Sequence, residues 1–324
     1  MKRRDIMLGA AALGLSISLA APALAESELR LAHFSPTSDP NHVTATAFAE
    51  RVAEATGGEH TVKIFPSAQL GGEVDAVEGL LLGTIDITMP SAAVIANWVP
   101  EMNVLNMPFV FRDWDHYTET MHGELLDEMV AVAAEKNIRV LGAMTSGARH
   151  IMTREPLESF EDLRGRKIRT VQNPVHVAAF NAFGANATAI AYTEVYSSLQ
   201  TGVVDGGDAA NTNYFTEKFY EVAPNWAQVS WLFYSNFIIM REDAFQALPA
   251  ETQDALQQIG REIGRDHFAR YRISDDEKLG ELVAAGVNVT EPDRAPFQQA
   301  AQAVYDEFLT SDRERQLLQM ITAE

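Results

Sequence analysis

Prolines and glycine pairs cut this 324-residue chain into short pieces in which strand-like and helix-like runs alternate, and that alternation limits the fold more than any other feature. Residues 28–34 alternate apolar and polar side chains as a half-buried strand does. Asp39-Pro40-Asn41 then breaks the chain and caps a helix over about 42–55, which Gly57-Gly58 ends. Residues 61–65 are the next strand, stopped by Pro66. Residues 73–82 have helical spacing, and 85–89 form a short apolar strand ended by Pro90. Such alternation predicts an α/β fold, a largely parallel sheet with helices on its faces.

Past a proline-punctuated stretch around 98–108, residues 115–136 read as one long amphipathic helix and 138–144 as the next strand. A second alternating block begins near Arg149, with a strand at 167–171, a helix at 175–183, a strand near 187–191 and a helix at 193–202. Residues 231–240 are an apolar strand-like run, and helices fill much of 251–279 and 294–309. The economical architecture is two α/β blocks joined by more than one crossing. A cleft between two such blocks is the default place for a small ligand.

The first 25 residues read as an export leader. Lys2, Arg3 and Arg4 precede an almost wholly apolar run from Met7 to Ala20, and Ala23-Leu24-Ala25 is a small-residue cleavage site. The apolar run falls short of the ~20 residues that span a bilayer. The adjacent arginines fit twin-arginine export and ordinary secretion alike. The chain has no cysteine, which excludes disulfides, thiolate nucleophiles and cysteine-based zinc sites. Removing a leader of net +2 (three basic residues against Asp5) takes the formal charge from −20 to −22. That field opposes nucleic acid and anionic lipid, both of which need clustered Lys and Arg. An anion site here has to be local, built from a few aimed donors.

From Asp162 the chain reads DLRGRKIRTVQNPVHVAAFNAFGAN, and from Thr193 TEVYSSLQTGVVDGGDAANTNY. Together with IFPSAQLGGE at 64–73, these pieces, in this order, resemble the periplasmic solute receptors of tripartite ATP-independent periplasmic (TRAP) transporters, the C4-dicarboxylate-receptor (DctP) family. The resemblance runs over essentially the whole mature chain. It implies a two-lobed periplasmic binding protein fold with an interdomain ligand cleft and a long helix linking the lobes, closing by hinge motion. Lobe I is expected over 26–147 plus about 233–272, and lobe II over 148–232 plus about 273–324. The implied partners are a small organic acid and a sodium-driven permease of one small and one large integral membrane subunit. The implied location is the periplasm, with cleavage after Ala25.

Arg169, in the strand KIRTV, is the residue the resemblance makes the carboxylate clamp. A guanidinium is a planar fork that matches a carboxylate, although by composition alone most arginines are solvated. Arg149, after Gly147 at a domain crossing, is either a second ligand contact or a hinge salt bridge. Gln172 and Tyr192 fall where the family places polar and aromatic neighbours of the ligand, and either serves equally well as strand-end packing. The segment DGGDAA departs from the family's DGQENP. Asp208 stands where the family has glutamate, Ala209 takes the usual asparagine position, and Asn211 or Asn213 is the replacement donor. Phe34, Glu73 and Ser91 are implied contacts from the other side of the cleft. Trp231, where relatives carry smaller polar or imidazole groups, is either an apolar wall favouring a compact acid or plain core packing, as is Phe34.

The eight histidines form no HExxH or similar ligand set, and neither a transition metal nor a cofactor is expected. GxGxxG, P-loop and GxSxG patterns are absent from the mature chain. A receptor is therefore expected rather than an enzyme. A periplasmic hydrolase or lyase with scattered catalytic residues, and a ligand-binding sensor component, are the alternatives.

Overall fold

The computed structural model describes residues 27–323; the leader and its cleavage site lie outside them. Strand β1 (Ser27–Ala32) lies parallel to β2 (His60–Phe65) and to β3 (Ile87–Thr88). The crossover from β1 to β2 is the helix Pro40–Ala55. It starts there because Asp39 is in extended conformation and accepts from the Asn41 amide, while Pro40 sits at the helix start, where no amide proton is needed. The helix Glu73–Leu82 ends at Gly83, whose φ of +78° closes the last turn in the left-handed region.

Two long antiparallel strands, β4 (Ile138–Thr153) and β8 (Asn225–Arg241), carry the chain from one group of strands to the other. The second group comprises β5 (Lys167–Thr170), β6 (Asn186–Ala189), β7 (Gly206–Ala209) and β9 (Asn288–Thr290). One end of β8 pairs with β3 and the other with β9, while β7 pairs with the last four residues of β4. Among the described residues the order across the sheet is β2-β1-β3-β8-β4-β7-β5-β6, with β9 beside β8. The β4–β8 register slips between Thr145 and Ala148 and again between Arg149 and Ile151. Such irregularities bend a ladder and re-aim side chains, and they fall where the chain passes between the two halves. Gly147 stands there with φ +76°, and a Cβ would come within 2.8 Å of both Ala210 and Tyr271.

The 35-residue helix Ala250–Ala284, about 52 Å long, ties the halves together. It packs on β4 and the Pro40–Ala55 helix, and further along on the helix Asn211–Thr216. Glycines allow the close approach. A Cβ at Gly264 would lie 2.3 Å from the Ala143 carbonyl oxygen, and one at Gly260 2.6 Å from that of Leu141. Apolar clusters fill each half: Leu31, Phe48, Ile87, Leu141 and Ile263 in one, Met152, Leu199, Tyr214, Trp226 and Leu282 in the other.

Several elements differ from the sequence expectation. The helix at 115–136 is two helices, Trp114–Met121 and Glu124–Ala134, parted at His122-Gly123. Residues 138–144 and Arg149 belong to one continuous strand. The stretch expected as a helix at 193–202 opens as a 3-10 turn, Tyr192–Glu194, before the helix Val195–Gln200. A final helix, Asp312–Thr322, was not anticipated. Ser311 and Glu314 cap it reciprocally, and it packs on the 3-10 segment Pro100–Asn106 and on the helix Glu124–Ala134. Among the described residues no helix is long and apolar enough to cross a membrane.

Candidate functional site

Arg169 leaves β5 on the face turned toward the other half, and only 2 % of it is exposed. Its Nε donates to the Ile190 carbonyl at 2.9 Å, which fixes the plane of the guanidinium. Nη1 and Nη2 meet no acceptor among the described residues. Burial lowers its pKa while the Asp208 carboxylate works in the opposite direction. A guanidinium keeps its proton throughout, so Arg169 brings to the cleft a positive fork whose Nη groups are without a hydrogen-bonded acceptor among the described residues. The Tyr192 ring lies 5.9 Å from its Cζ.

Arg149, from the bend of β4, is committed to protein. Nε donates to Asp208 Oδ2 at 2.9 Å and Nη2 to the Asp208 carbonyl at 2.6 Å, with the guanidinium 4.6 Å over the Tyr234 ring. The pair is almost wholly buried, with the side chains 4 % and 1 % exposed. Burial disfavours the charge on Arg149, but Asp208 outweighs it and holds its pKa above the ordinary value. Burial likewise pushes the Asp208 carboxyl upward, and Arg149 overcomes it, leaving a lowered pKa.

Glu73 comes from the opposite side, as the first residue of its helix. Its Oε2 accepts from the Ser91 amide at 2.9 Å and the Ser91 hydroxyl at 2.7 Å. Burial raises its pKa, with the Ser91 bonds and then the two arginines opposing. Phe34 meets Tyr192 edge-on at 5.2 Å. With Ser146, Val171, Asn213 and Tyr234, these groups enclose a cavity of about 10 Å³ between the two halves, on the order of one water molecule. Asn173 Nδ2 donates to the Ala93 carbonyl at 2.8 Å and Asn97 Nδ2 to the Gln172 carbonyl at 3.1 Å, so the halves touch beside it.

Six of the residues singled out from the sequence thus converge: Arg169, Arg149, Tyr192, Glu73 and Phe34 line the cavity, and Ser91 holds Glu73. Asp208 stands behind Arg149. Asn213, rather than Asn211, reaches the cavity wall. The Asn211 Oδ1 accepts from Trp226 Nε1 at 2.8 Å and from Gln228. Gln172 is exposed and lines an open hollow of about 770 Å³ beside Asn97, Pro174 and Phe308. That hollow has no arginine or lysine in its wall. Trp231 is fully buried among His176, Phe180 and Phe183, its ring 5.0, 5.2 and 6.3 Å from theirs, and is not part of the cavity wall. Sequence reasoning missed Ser146, Val171 and Tyr234. Ser146 neighbours the crossing glycine and Val171 follows the arginine strand, but the run around Tyr234 is apolar on both faces and gives no sign of which side chain turns inward.

Two lobes joined by crossing strands and a long helix, with a buried arginine fork in the cleft between them, define a solute-binding protein. Residues 31–312 match the family profile described as bacterial extracellular solute-binding protein, family 7, and the chain belongs to that family, the TRAP transporter receptors. A solute-binding protein of Chromohalobacter salexigens is 31 % identical over 322 residues, covering 98 % of this chain and 96 % of its own. The 2,3-diketo-L-gulonate-binding periplasmic protein YiaO of Escherichia coli is 31 % identical over 304 residues, covering 93 % and 92 %. The crystal structure of a TRAP periplasmic solute-binding protein from Sulfitobacter sp. NAS-14.1 with bound β-D-galacturonate superposes with a TM-score of 0.88 at 30 % identity, covering 92 % of this chain and all of that one. Proteins of this family bind solutes and are not enzymes, and their place is the periplasm.

Proposed function

We propose that this chain is the extracytoplasmic receptor of a TRAP transporter that captures a small organic acid, with Arg169 as the carboxylate clamp, and delivers it to a permease of one small and one large membrane subunit. The observation that carries the clamp is the state of Arg169: buried in the wall of the enclosure and held in plane through Nε, with neither Nη group meeting an acceptor among the described residues. Two parallel charge-assisted hydrogen bonds contribute on the order of 1.5 to 3 kcal/mol each. Relatives named for or holding diketogulonate and galacturonate bind sugar acids, which supports an acid ligand. Phe34, Tyr192 and Tyr234 put three rings around the enclosure and favour a compact acid over a large polyhydroxylated one. The lobes divide near 147/148, 232/233 and 272/273, with the last helix reaching back to the first lobe, and hinge opening at these crossings admits the ligand. Export precedes this, with cleavage after Ala25; the amino-terminal sequence of the periplasmic form tests that step.

Thermal shift of the leader-free protein against mono- and dicarboxylates, sugar acids and sulfonates tests the receptor reading. Ligand at 100 times its Kd stabilises the fold by roughly 2.7 kcal/mol, which moves Tm by a few degrees. The shift should vanish in Arg169→Ala and shrink in Arg169→Lys, since an ammonium cannot reproduce the fork. An acid that binds both variants as tightly as the parent overturns the clamp.

A further inference from the structure

Resting on the receptor reading of the cleft, we infer that Asn173 is a positioning residue with two roles: it caps its own helix and it latches the lobes together around a held ligand. Its side-chain amide divides these roles by atom. Oδ1 accepts from the backbone amides of Val175 and His176 at 2.8 and 3.3 Å, which starts the helix Pro174–Ala182 in the second lobe. Nδ2 donates to the Ala93 carbonyl at 2.8 Å and to Asn103 Oδ1 at 3.0 Å, both in the first lobe. Two accepted and two donated bonds fill the amide, and the residue is 2 % exposed. The helix amides settle which end is oxygen, so the donor end has to face the other lobe. Serine and aspartate cap a helix about as well as asparagine, but neither carries an NH2 group to the far side.

The seam continues on either side of this residue. Asn97 Nδ2 donates to the Gln172 carbonyl at 3.1 Å. His176 Nε2 meets Asn106 Oδ1 at 3.1 Å, and since Asn106 Nδ2 is spent on the Met102 carbonyl at 3.0 Å, the imidazole is the donor. Burial holds His176 down at about 3, so it crosses the seam uncharged. Arg169 stands four residues before Asn173. Val171 between them lines the cavity, and its carbonyl accepts from the Asn173 backbone amide at 2.7 Å. So tight a turn leaves little slack between clamp and latch. A ligand that draws Arg169 toward the first lobe therefore brings Asn173 onto Ala93 and Asn103, and by reciprocity the latch tightens the hold on the ligand. Two neutral hydrogen bonds are together worth about tenfold or more in such an equilibrium.

Asn173→Ser keeps the cap and removes the latch, and Asn103→Ala removes one acceptor of the latch from the other lobe without touching the cap. Isothermal titration of both variants and the parent with lactate, pyruvate, succinate, D-gluconate and D-galacturonate tests the inference, with the Tm of each ligand-free protein as the measure of the cap. An acid that binds the parent through Arg169 should bind Asn173→Ser about tenfold more weakly and leave it faster in stopped flow, while the ligand-free Tm stays close to that of the parent. Asn103→Ala should weaken the same acid in the same direction but less, because the Ala93 carbonyl remains. The two changes together should cost less than the product of their separate effects. The groups of the seam are neutral, so the ratio of parent to variant should hold as salt is raised. Should Asn173→Ser fail to fold, Asn103→Ala decides alone. Unchanged binding in either variant, with binding lost in Arg169→Ala, overturns the latch and leaves the receptor reading standing. A panel with no Arg169-dependent binder overturns both.

Discussion

Asn213 donates from Nδ2 to Oδ2 of Asp39 at 2.9 Å across the cleft, while its Oδ1 accepts from the Tyr271 hydroxyl at 3.0 Å. One amide that borders the candidate ligand cavity is therefore tied to the helix-capping carboxylate of the first lobe and to the long helix. Asp39 is fully buried, and burial pushes its carboxyl up to about 6 against the bonds from Asn41 and Asn213.

Replacing Asn213 with alanine should therefore loosen the closed state. A hydrogen bond to a charged group contributes about 1.5 to 3 kcal/mol, and here that contribution is present only while the lobes are together. The expected result for Asn213→Ala is a roughly tenfold or greater rise in the Kd of any acid that binds, with solution scattering shifted toward the open form. An unchanged Kd would show that Asp39 and Asn213 touch without biasing closure.

Buried imidazoles should make the fold acid-labile. Burial holds His150 and His176 down at about 3 and His267 at about 4. His267 bridges the Thr44 hydroxyl and the Thr145 carbonyl at 2.8 and 2.7 Å. For a lowered base the stabilisation is complete above the ordinary value near 6.5 and declines as pH falls from there toward the folded value. At pH 5 each of the three costs about 2 kcal/mol, from roughly 1.36 kcal/mol per pH unit. Asp39, at about 6, and Asp275, raised by burial to about 7, act in the opposite sense, because a raised carboxyl is relieved on acidification. Glu217, raised by burial to about 7, joins these carboxyls, and His33 and His122, held by burial at about 4, join the histidines; the carboxyl recovery by pH 5, about five pH units in all, stays below the loss of about 1.5 units at each of the five histidines. Tm should fall between pH 7 and pH 5, and His150→Gln should flatten that slope. A Tm that stays level or rises over this interval contradicts the argument.

The sheet's outer strands were legible because each is short and stopped by Pro or Gly, as at Pro66 and Pro90. The two crossing strands were legible only as fragments. Their 16 and 17 residues are buried on both faces, so neither shows the alternation that marks a strand and its inner side. The final helix was missed although Ser311-Asp312-Arg313-Glu314 is a capping box, because the preceding helical pattern masked its start. At the site, the family resemblance carried by KIRTV and by IFPSAQLGGE singled out Arg169 and Glu73, whereas composition alone reads Arg169 as a solvated arginine. The partner of Arg149 was not legible: β7 and β4 are paired by topology, and no local pattern links residues 59 apart.

Glycine at position 264 is required by a neighbour that cannot move aside. A Cβ there would stand 2.3 Å from the Ala143 carbonyl oxygen, on a strand already fixed by β8. Backbone cannot rotate away as a side chain can, so the long helix has to shift off β4. Gly264→Ala should lower stability by about 2 kcal/mol or more, in the range of overpacked cores, read from urea unfolding. Gly280, with nothing within 4 Å of an added Cβ, is the control on the same helix. Alanine there should be neutral or stabilising.

Trp231 separates a core role from a ligand-wall role. Its indole is fully buried against His176, Phe180 and Phe183, and Nε1 finds no acceptor among the described residues. Removing so large a buried ring leaves a cavity, so Trp231→Ala should cost about 3 to 5 kcal/mol. Trp231→Phe should cost less, because it also removes a buried donor that has no partner. Neither variant should alter the ranking of acids by affinity, since the rings facing the enclosure are those of Phe34, Tyr192 and Tyr234. Comparing urea unfolding with titration of the same acid panel gives the decision: stability lost with the ranking kept is the core outcome, whereas a reordered ranking in Trp231→Phe places the indole within reach of the ligand.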